Sequence, residues 1–166
     1  MTGIFADTSE NRSDFSTPAP ADPLLASELV TEIEFLAARA VSIGTARANS
    51  MLAPLDLKVR SYSVLALACT SEAPSQRELA DFLCLVPSQI VAIVDALEQR
   101  GLVERIGDRN DRRAKAIRAT ASGKKLYKNA SKAVREAEAI SLEALTVDEY
   151  DQLRGLLLRI AFAPAG

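Results

Sequence analysis

The tightest constraint on this chain lies between Ser75 and Gly101, where two helix starts and one helix stop are crowded into a short stretch. Ser75-Gln76-Arg77-Glu78 is a capping box. The serine oxygen accepts an amide N–H of the first turn, and the glutamate reaches back to the serine N–H. The helix it opens runs to Leu83 and buries Leu79, Phe82 or Leu83. Only Cys84-Leu85-Val86 separates it from Pro87, whose missing N–H is harmless at the first position of a helix. The next helix covers 87–100 and stops at Gly101, which suits a left-handed cap.

After Gly101 the period changes. Residues 102–106 read as a short strand, and Gly107-Asp108-Arg109-Asn110-Asp111 is a turn-forming cluster. A weaker alternation over 114–119 supplies a second strand, which makes a small hairpin with a charged tip. Helical patterns flank this centre. A first helix is expected over 24–51, with Leu25, Leu29, Ile33, Leu36, Ala40 and Ile43 in one stripe. Pro54 breaks it, and a second helix covers about 58–70. Thr120 caps a long helix over 121–145. Thr146 and Glu149 form another capping box, opening a last helix through Phe162 with Tyr150, Leu153, Leu157 and Ile160 on one face. Residues 1–22, rich in Ser, Thr, Asp, Ala and Pro, read as a tail.

A short helix, a tight turn, a second helix and a charged hairpin make a winged helix-turn-helix. On a wheel of the 87–100 helix, Ile90, Ile93, Val94 and Leu97 face the core. Ser88, Ala92, Asp95 and Gln99 lie opposite, with Gln89 on the flank. That outward face is small and polar, so it can approach base edges closely. The fold class is therefore mainly α with a small β-hairpin wing: a winged lobe over 55–120, and a helical dimerisation region supplied by 23–54 and 121–163.

The charge distribution agrees. The 166-residue chain has a net charge of −2, yet residues 76–135 hold 13 Lys+Arg against 7 Asp+Glu, and the remainder holds 7 against 15. A basic middle between acidic ends suits a polyanion-binding centre on an acidic scaffold. Glu28, Glu32, Glu34, Glu136, Glu138 and Glu143 on the terminal helices should face away from DNA. Composition closes other routes. The chain has no histidine, which removes the commonest general base and metal ligand. Its two cysteines can form neither a zinc cage nor a disulfide framework. No stretch approaches the roughly 20 apolar residues of a membrane span, and the acidic N-terminus is no secretory signal. No phosphate-binding glycine loop or nucleophile elbow occurs, and Ser122-Gly123-Lys124 reads as a cap and a phosphate contact rather than a catalytic pair. The expectation is a cytoplasmic protein that is not an enzyme, with no cofactor and no metal.

The sequence resembles the MarR family of bacterial transcription regulators. The residues that carry the resemblance are Leu57, Tyr62, Val64 and Leu65, then 75–83, then 94–105. The wing Asp108-Arg109-Asn110-Asp111-Arg112-Arg113-Ala114-Lys115, followed by Thr120 and Gly123, is the most specific part. The resemblance implies a homodimer on a palindromic duplex, a repressor role, and release by a small-molecule effector. It implies that helix 87–100 enters the major groove and that wing 106–115 enters the minor groove, whose negative potential attracts arginine. Arg109, Arg112, Arg113 and Lys115 are the wing contacts, with Asp111 orienting a neighbouring arginine. Ser75, Gln76, Ser88, Gln89 and Ala92 are the remaining DNA-contact candidates. Family members often carry Ser or Thr and then Arg where this chain has Val91 and Ala92, which shifts base reading to Ser88 and Gln89. Gln89 can pair bidentately with adenine, and Ala92 can touch a thymine methyl.

The effector candidates, by position, are Arg39, Arg47, Met51 and Tyr62. Two alternatives stay open: a redox-sensing regulator acting through Cys84 or Cys69, and a winged-helix module that binds protein.

Overall fold

The structure, a computed structural model, describes residues 23–107 and 115–163. Its elements start where the sequence places caps. Ser75 caps α3 (Gln76–Leu83): its Oγ accepts the Glu78 N–H at 3.2 Å, and its own N–H donates to the Glu78 carboxylate at 2.7 Å. Thr120 caps α5 (Ala121–Ser141) by accepting the Gly123 N–H at 3.1 Å. Thr146 and Glu149 do the same for α6 (Val147–Ala161). The Thr146 N–H and hydroxyl both bond the Glu149 carboxylate and hold it below its ordinary pKa. This cap is therefore complete above the ordinary carboxylate range and weakens as acid protonates Glu149.

The chain divides into two units, one ending at Arg39 and one beginning at Ala40. In the first, the helix expected from residue 24 is replaced by two short 3-10 turns, Pro23–Ala26 and Glu28–Thr31. Only then does α1 (Ile33–Leu52) begin. Ser27 and Glu32 take extended backbone angles through which no helix continues. Leu24, Leu25 and Leu29 are exposed, so no packing rescues a continuous helix.

In the second unit, α1 ends at Leu52 before a turn at Ala53–Leu55 that contains Pro54. The Asn49 carboxamide accepts the Val59 N–H at 2.9 Å and so ties the end of α1 to the start of α2 (Val59–Ala68). Then come α3, α4 (Pro87–Gln99) and a two-stranded antiparallel hairpin of β1 (Val103–Gly107) and β2 (Lys115–Ala119). The register pairs Val103 with Ala119 and Gly107 with Lys115. Ser75 adds an isolated bridge to Ala116, and the Ile117 N–H donates to the Pro74 carbonyl. The hairpin is thereby fastened to the start of α3.

The core sits beneath α4. Leu52, Val64, Leu65, Leu79, Ile90, Val94, Leu97, Val103 and Ile117 are fully buried, and Ile93 packs on them half-buried. Leu79 is thus the α3 anchor. Leu83 packs half-buried, while Phe82 stays exposed with its ring against Phe162. The helix expected over 121–145 ends at Ser141, where the Ser141 hydroxyl bonds back to the Ala137 carbonyl at 2.8 Å.

Two glycines matter. Gly101 has φ +66°, the left-handed geometry that ends α4. At Gly123 a Cβ would lie 1.9 Å from the Leu102 carbonyl oxygen and 2.9 Å from its carbon, so α5 rests directly on backbone. Gly123→Ala is expected to cost about 3 kcal/mol or more. That would lower the thermal midpoint by roughly 6–12 °C for a chain of this size. Thermal and urea unfolding measure it.

Candidate nucleic-acid interface

The α4 helix presents the face that its sequence pattern assigns to solvent. Ser88 and Ala92 are exposed, Gln89 is half-buried beside them, and Gln99 is exposed farther along. Val86 and Val91 are also exposed. The first turn of α4 has no side-chain cap, so its N–H groups add partial positive charge where Ser88 sits.

Asp95 lies on this same face, where a bare carboxylate would repel phosphate. The structure neutralises it. Arg105, from β1, donates one guanidinium nitrogen to Asp95 and another to Glu98, and its backbone N–H bonds Glu98 at 3.2 Å. These bonds, led by the one to Asp95, hold the Arg105 guanidinium even more firmly protonated than usual. The pair of acids on α4 and the single cation on β1 lock helix to wing. Arg105 is therefore an internal strut rather than part of a free basic surface. Arg118 is likewise paired, at 2.9 Å, with Glu104 directly opposite on the hairpin. Arg100 binds the Asp56 and Leu55 carbonyls at 2.6 and 3.1 Å and so fastens the end of α4 to the α1–α2 connection. An acid on the outward arc of the helix was the available signal for this strut. The register that brings Arg105 to it was not readable.

The other site residues divide three ways. Lys115 is exposed at the start of β2. The Ser75 hydroxyl is committed to the cap of α3, and the Gln76 amide nitrogen is shielded from solvent with no hydrogen-bond partner among the described residues. Arg109, Asp111, Arg112 and Arg113 lie outside the described residues.

Of the effector candidates, Arg39 falls in the unit that ends there. In the other unit, Arg47 donates to the Ser141 hydroxyl at 3.0 Å, joining α1 to α5, and Met51 is half-buried. Tyr62 stacks on Tyr127 with ring centroids 5.8 Å apart. Burial and the neighbouring Tyr127 push the Tyr62 phenol above its ordinary pKa. Two hollows stand out elsewhere. One, of about 280 Å³, is lined by Glu138, Leu142, Tyr150 and Leu157; another, of about 520 Å³, by Glu72, Glu78, Phe82 and Arg118. Neither includes Arg47, Met51 or Tyr62. Cys84 is exposed in a left-handed conformation between α3 and α4. Cys69 is half-buried, and burial raises its thiol pKa against the opposing pull of Lys124.

A sequence model of the MarR family matches residues 57–115, the lobe just described. A transcriptional regulator of that family from Rhodococcus sp. RHA1 is 42% identical, with a TM-score of 0.78 over 82% of this chain and 97% of its own. The chain belongs to the MarR family. CouR from Rhodococcus jostii RHA1, solved bound to p-coumaroyl-CoA, is 41% identical with a TM-score of 0.77, covering 85% of this chain and 99% of CouR. The MarR family protein Rv2887 of Mycobacterium tuberculosis, solved with p-aminosalicylic acid, is 26% identical with a TM-score of 0.66, covering 78% of this chain and 98% of its own. Rv2887 has also been solved in complex with DNA.

The Arg105 strut is testable apart from DNA. Arg105→Gln is expected to lower stability by about 1–2 kcal/mol after allowance for solvent screening, and the loss should shrink at high salt. Urea unfolding at two ionic strengths measures it. A loss indifferent to salt would assign the role of Arg105 to packing of its stem.

Proposed function

We propose that this MarR-family regulator is a homodimeric repressor that reads a palindromic operator through α4 and is released by a small aromatic effector. The observation that carries the reading is the outward face of α4. Ser88 and Ala92 are open to solvent, Gln89 flanks them, and the one acid on that arc is neutralised from within by Arg105. A face so small and uncharged can lie against base edges, while the wing supplies phosphate contacts that fix register. Gln89 and Ser88 read bases. Arg109, Arg112, Arg113 and Lys115 bind the minor groove and backbone, with Asp111 orienting the arginines. Ser75 and Gln76 place the start of α3 beside phosphate, through the end of the helix rather than through the committed Ser75 hydroxyl.

Dimerisation is supported by apolar surface left uncovered in one chain. Ile33, Leu36, Val41 and Ile43 of α1 are exposed, and so are Leu156, Leu157, Leu158 and Ile160 of α6. Apolar faces of this kind mark association surfaces. Two-fold pairing presents two α4 helices to two half-sites. The terminal helices of 23–54 and 121–163 form this dimerisation region around winged lobes of 55–120.

The relatives solved with p-coumaroyl-CoA and p-aminosalicylic acid support an aromatic effector. Arg47, Met51 and Tyr62, with Arg39, are its binding candidates. The Tyr62–Tyr127 stack is the aromatic surface that such a ligand would meet.

Selection of bound duplexes from a random pool should return an inverted repeat. Gln89→Ala should then weaken the selected operator by about 1–3 kcal/mol at a single base pair per half-site and leave random duplex unchanged. Arg113→Ala should weaken every duplex and lower the slope of log K against log salt by about one per wing. Equal loss on random duplex for Gln89→Ala would overturn its role in base reading.

A further inference from the structure

The outward arc of α4 lacks the side chains that usually read two of the four bases. No Lys or Arg occurs between Pro87 and Gln99, and a guanidinium or ammonium group is the usual partner of guanine. Cytosine is read by a carboxylate that accepts from its amino group. Both acids of α4, Asp95 and Glu98, are already engaged by Arg105. What the arc offers instead is hydrocarbon. Val91 is 42% exposed, and Ala92 next to it is exposed as well. Ile90, Val94 and Leu97 carry the core contacts of this helix, which leaves the isopropyl group of Val91 open.

Its position fits a base contact. Val91 stands one turn before Asp95 and two turns before Glu98, so it lies on the side of α4 that turns toward β1. At about 100° per residue it falls about 60° from Ser88, while Gln89 flanks Ser88 from the other side. An amide on one flank and a branched hydrocarbon on the other thus bracket the small residues Ser88 and Ala92. On the major-groove edges of the base pairs, the apolar feature is the C5-methyl group of thymine. An isopropyl group set against it takes both out of water, which is worth about fourfold in affinity for each methyl covered. Set against cytosine, the same group covers the amino N–H without accepting its hydrogen bond and leaves a donor unpaired.

We infer that Val91, with Ala92 beside it, reads a thymine C5-methyl group. Each half-site is then specified by a methyl contact on the wing side of α4 and by the Gln89 amide on the other. This rests on the operator reading above and adds the chemical feature that is read there. Val91 selects thymine without touching phosphate, so its share of the affinity does not depend on salt, whereas that of the wing cations does.

The test uses the full-length protein and the operator selected from the random pool. Each thymine of the half-site is replaced in turn by deoxyuridine, in both half-sites at once. That removes the methyl and leaves every hydrogen-bonding group of the base in place. Fluorescence anisotropy reads the affinity. At one thymine position the wild type should bind about tenfold more weakly, by the same factor at low and at high salt. Val91→Ala should bind the thymine operator about as weakly as the wild type binds the uracil one, and should lose nothing further when uracil replaces thymine there. Alanine favours a helix more than valine does, so the thermal midpoint of this variant should not fall. A wild type indifferent to every thymine methyl would overturn the proposal. So would a uracil penalty of equal size in Val91→Ala at every position. A random pool that returns no operator would overturn the operator reading itself and this inference with it, whereas an operator bound without regard to its methyl groups would overturn this inference alone.

Discussion

The winged lobe is assembled around the carbonyl of Leu102. It follows directly on the left-handed stop at Gly101, accepts the Thr120 N–H at 3.0 Å and sits where a Cβ on Gly123 would have to be. The Thr120 hydroxyl reaches the neighbouring Gly101 carbonyl at 2.7 Å while also capping α5. The end of α4, the start of β1 and the start of α5 are therefore held at one point by backbone atoms and the short side chain of Thr120. Backbone contacts of this kind leave little freedom to tilt, so the direction in which α4 points is fixed by where α5 begins.

Charge is handled by a second set of constraints. A chain of net charge −2 can approach DNA only if its cations are concentrated and its acids are kept out of the way. The structure does this by dividing its basic residues between two tasks. Arg100, Arg105 and Arg118 are used inside the lobe, where they neutralise Asp95, Glu98 and Glu104 and bind the Asp56 and Leu55 carbonyls. Lys115 and the α5 lysines stay exposed. Residue counts alone overstate the free positive charge, because an arginine engaged by two carboxylates on its own lobe offers nothing to phosphate.

Much of this was legible in the sequence because it rests on local rules. The capping boxes at Ser75 and Thr146, the Pro87 start, the Gly101 stop and the second strand over 115–119 each depend on residues a few positions apart. Two boundaries differ from the periodicity. Apolar periodicity extends the first helix back to residue 24, but Leu24, Leu25 and Leu29 are exposed and the helix begins at Ile33; it extends the fifth to 145, but α5 ends at Ser141. Periodicity states that a face is apolar, not that it is covered. The Arg105 strut was illegible for a different reason. It depends on hairpin register and the placement of β1 on α4, which no spacing within either element reveals. The pairing of Tyr62 with Tyr127 likewise joins residues 65 positions apart in sequence, through the packing of α2 on α5.

The place of α5 in this scheme bears on regulation. Its first turn rests on Leu102 and so on the end of α4, and its later turns carry the Tyr127 stack. A helix of 21 residues is stiff over that length. An effector changes operator affinity only if it binds one orientation of the lobe better than another. Couplings of this kind are typically about 1–3 kcal/mol. A ligand seated against the aromatic pair shared by α5 and α2 would favour one relative placement of these two helices. Because α2 packs on α4 and β2 as well as on α5, a change in the α2–α5 contact cannot be absorbed locally. With α4 held against the start of α5 at Leu102, the lobe moves as one piece, and in a two-fold dimer its placement sets the spacing between the two reading helices.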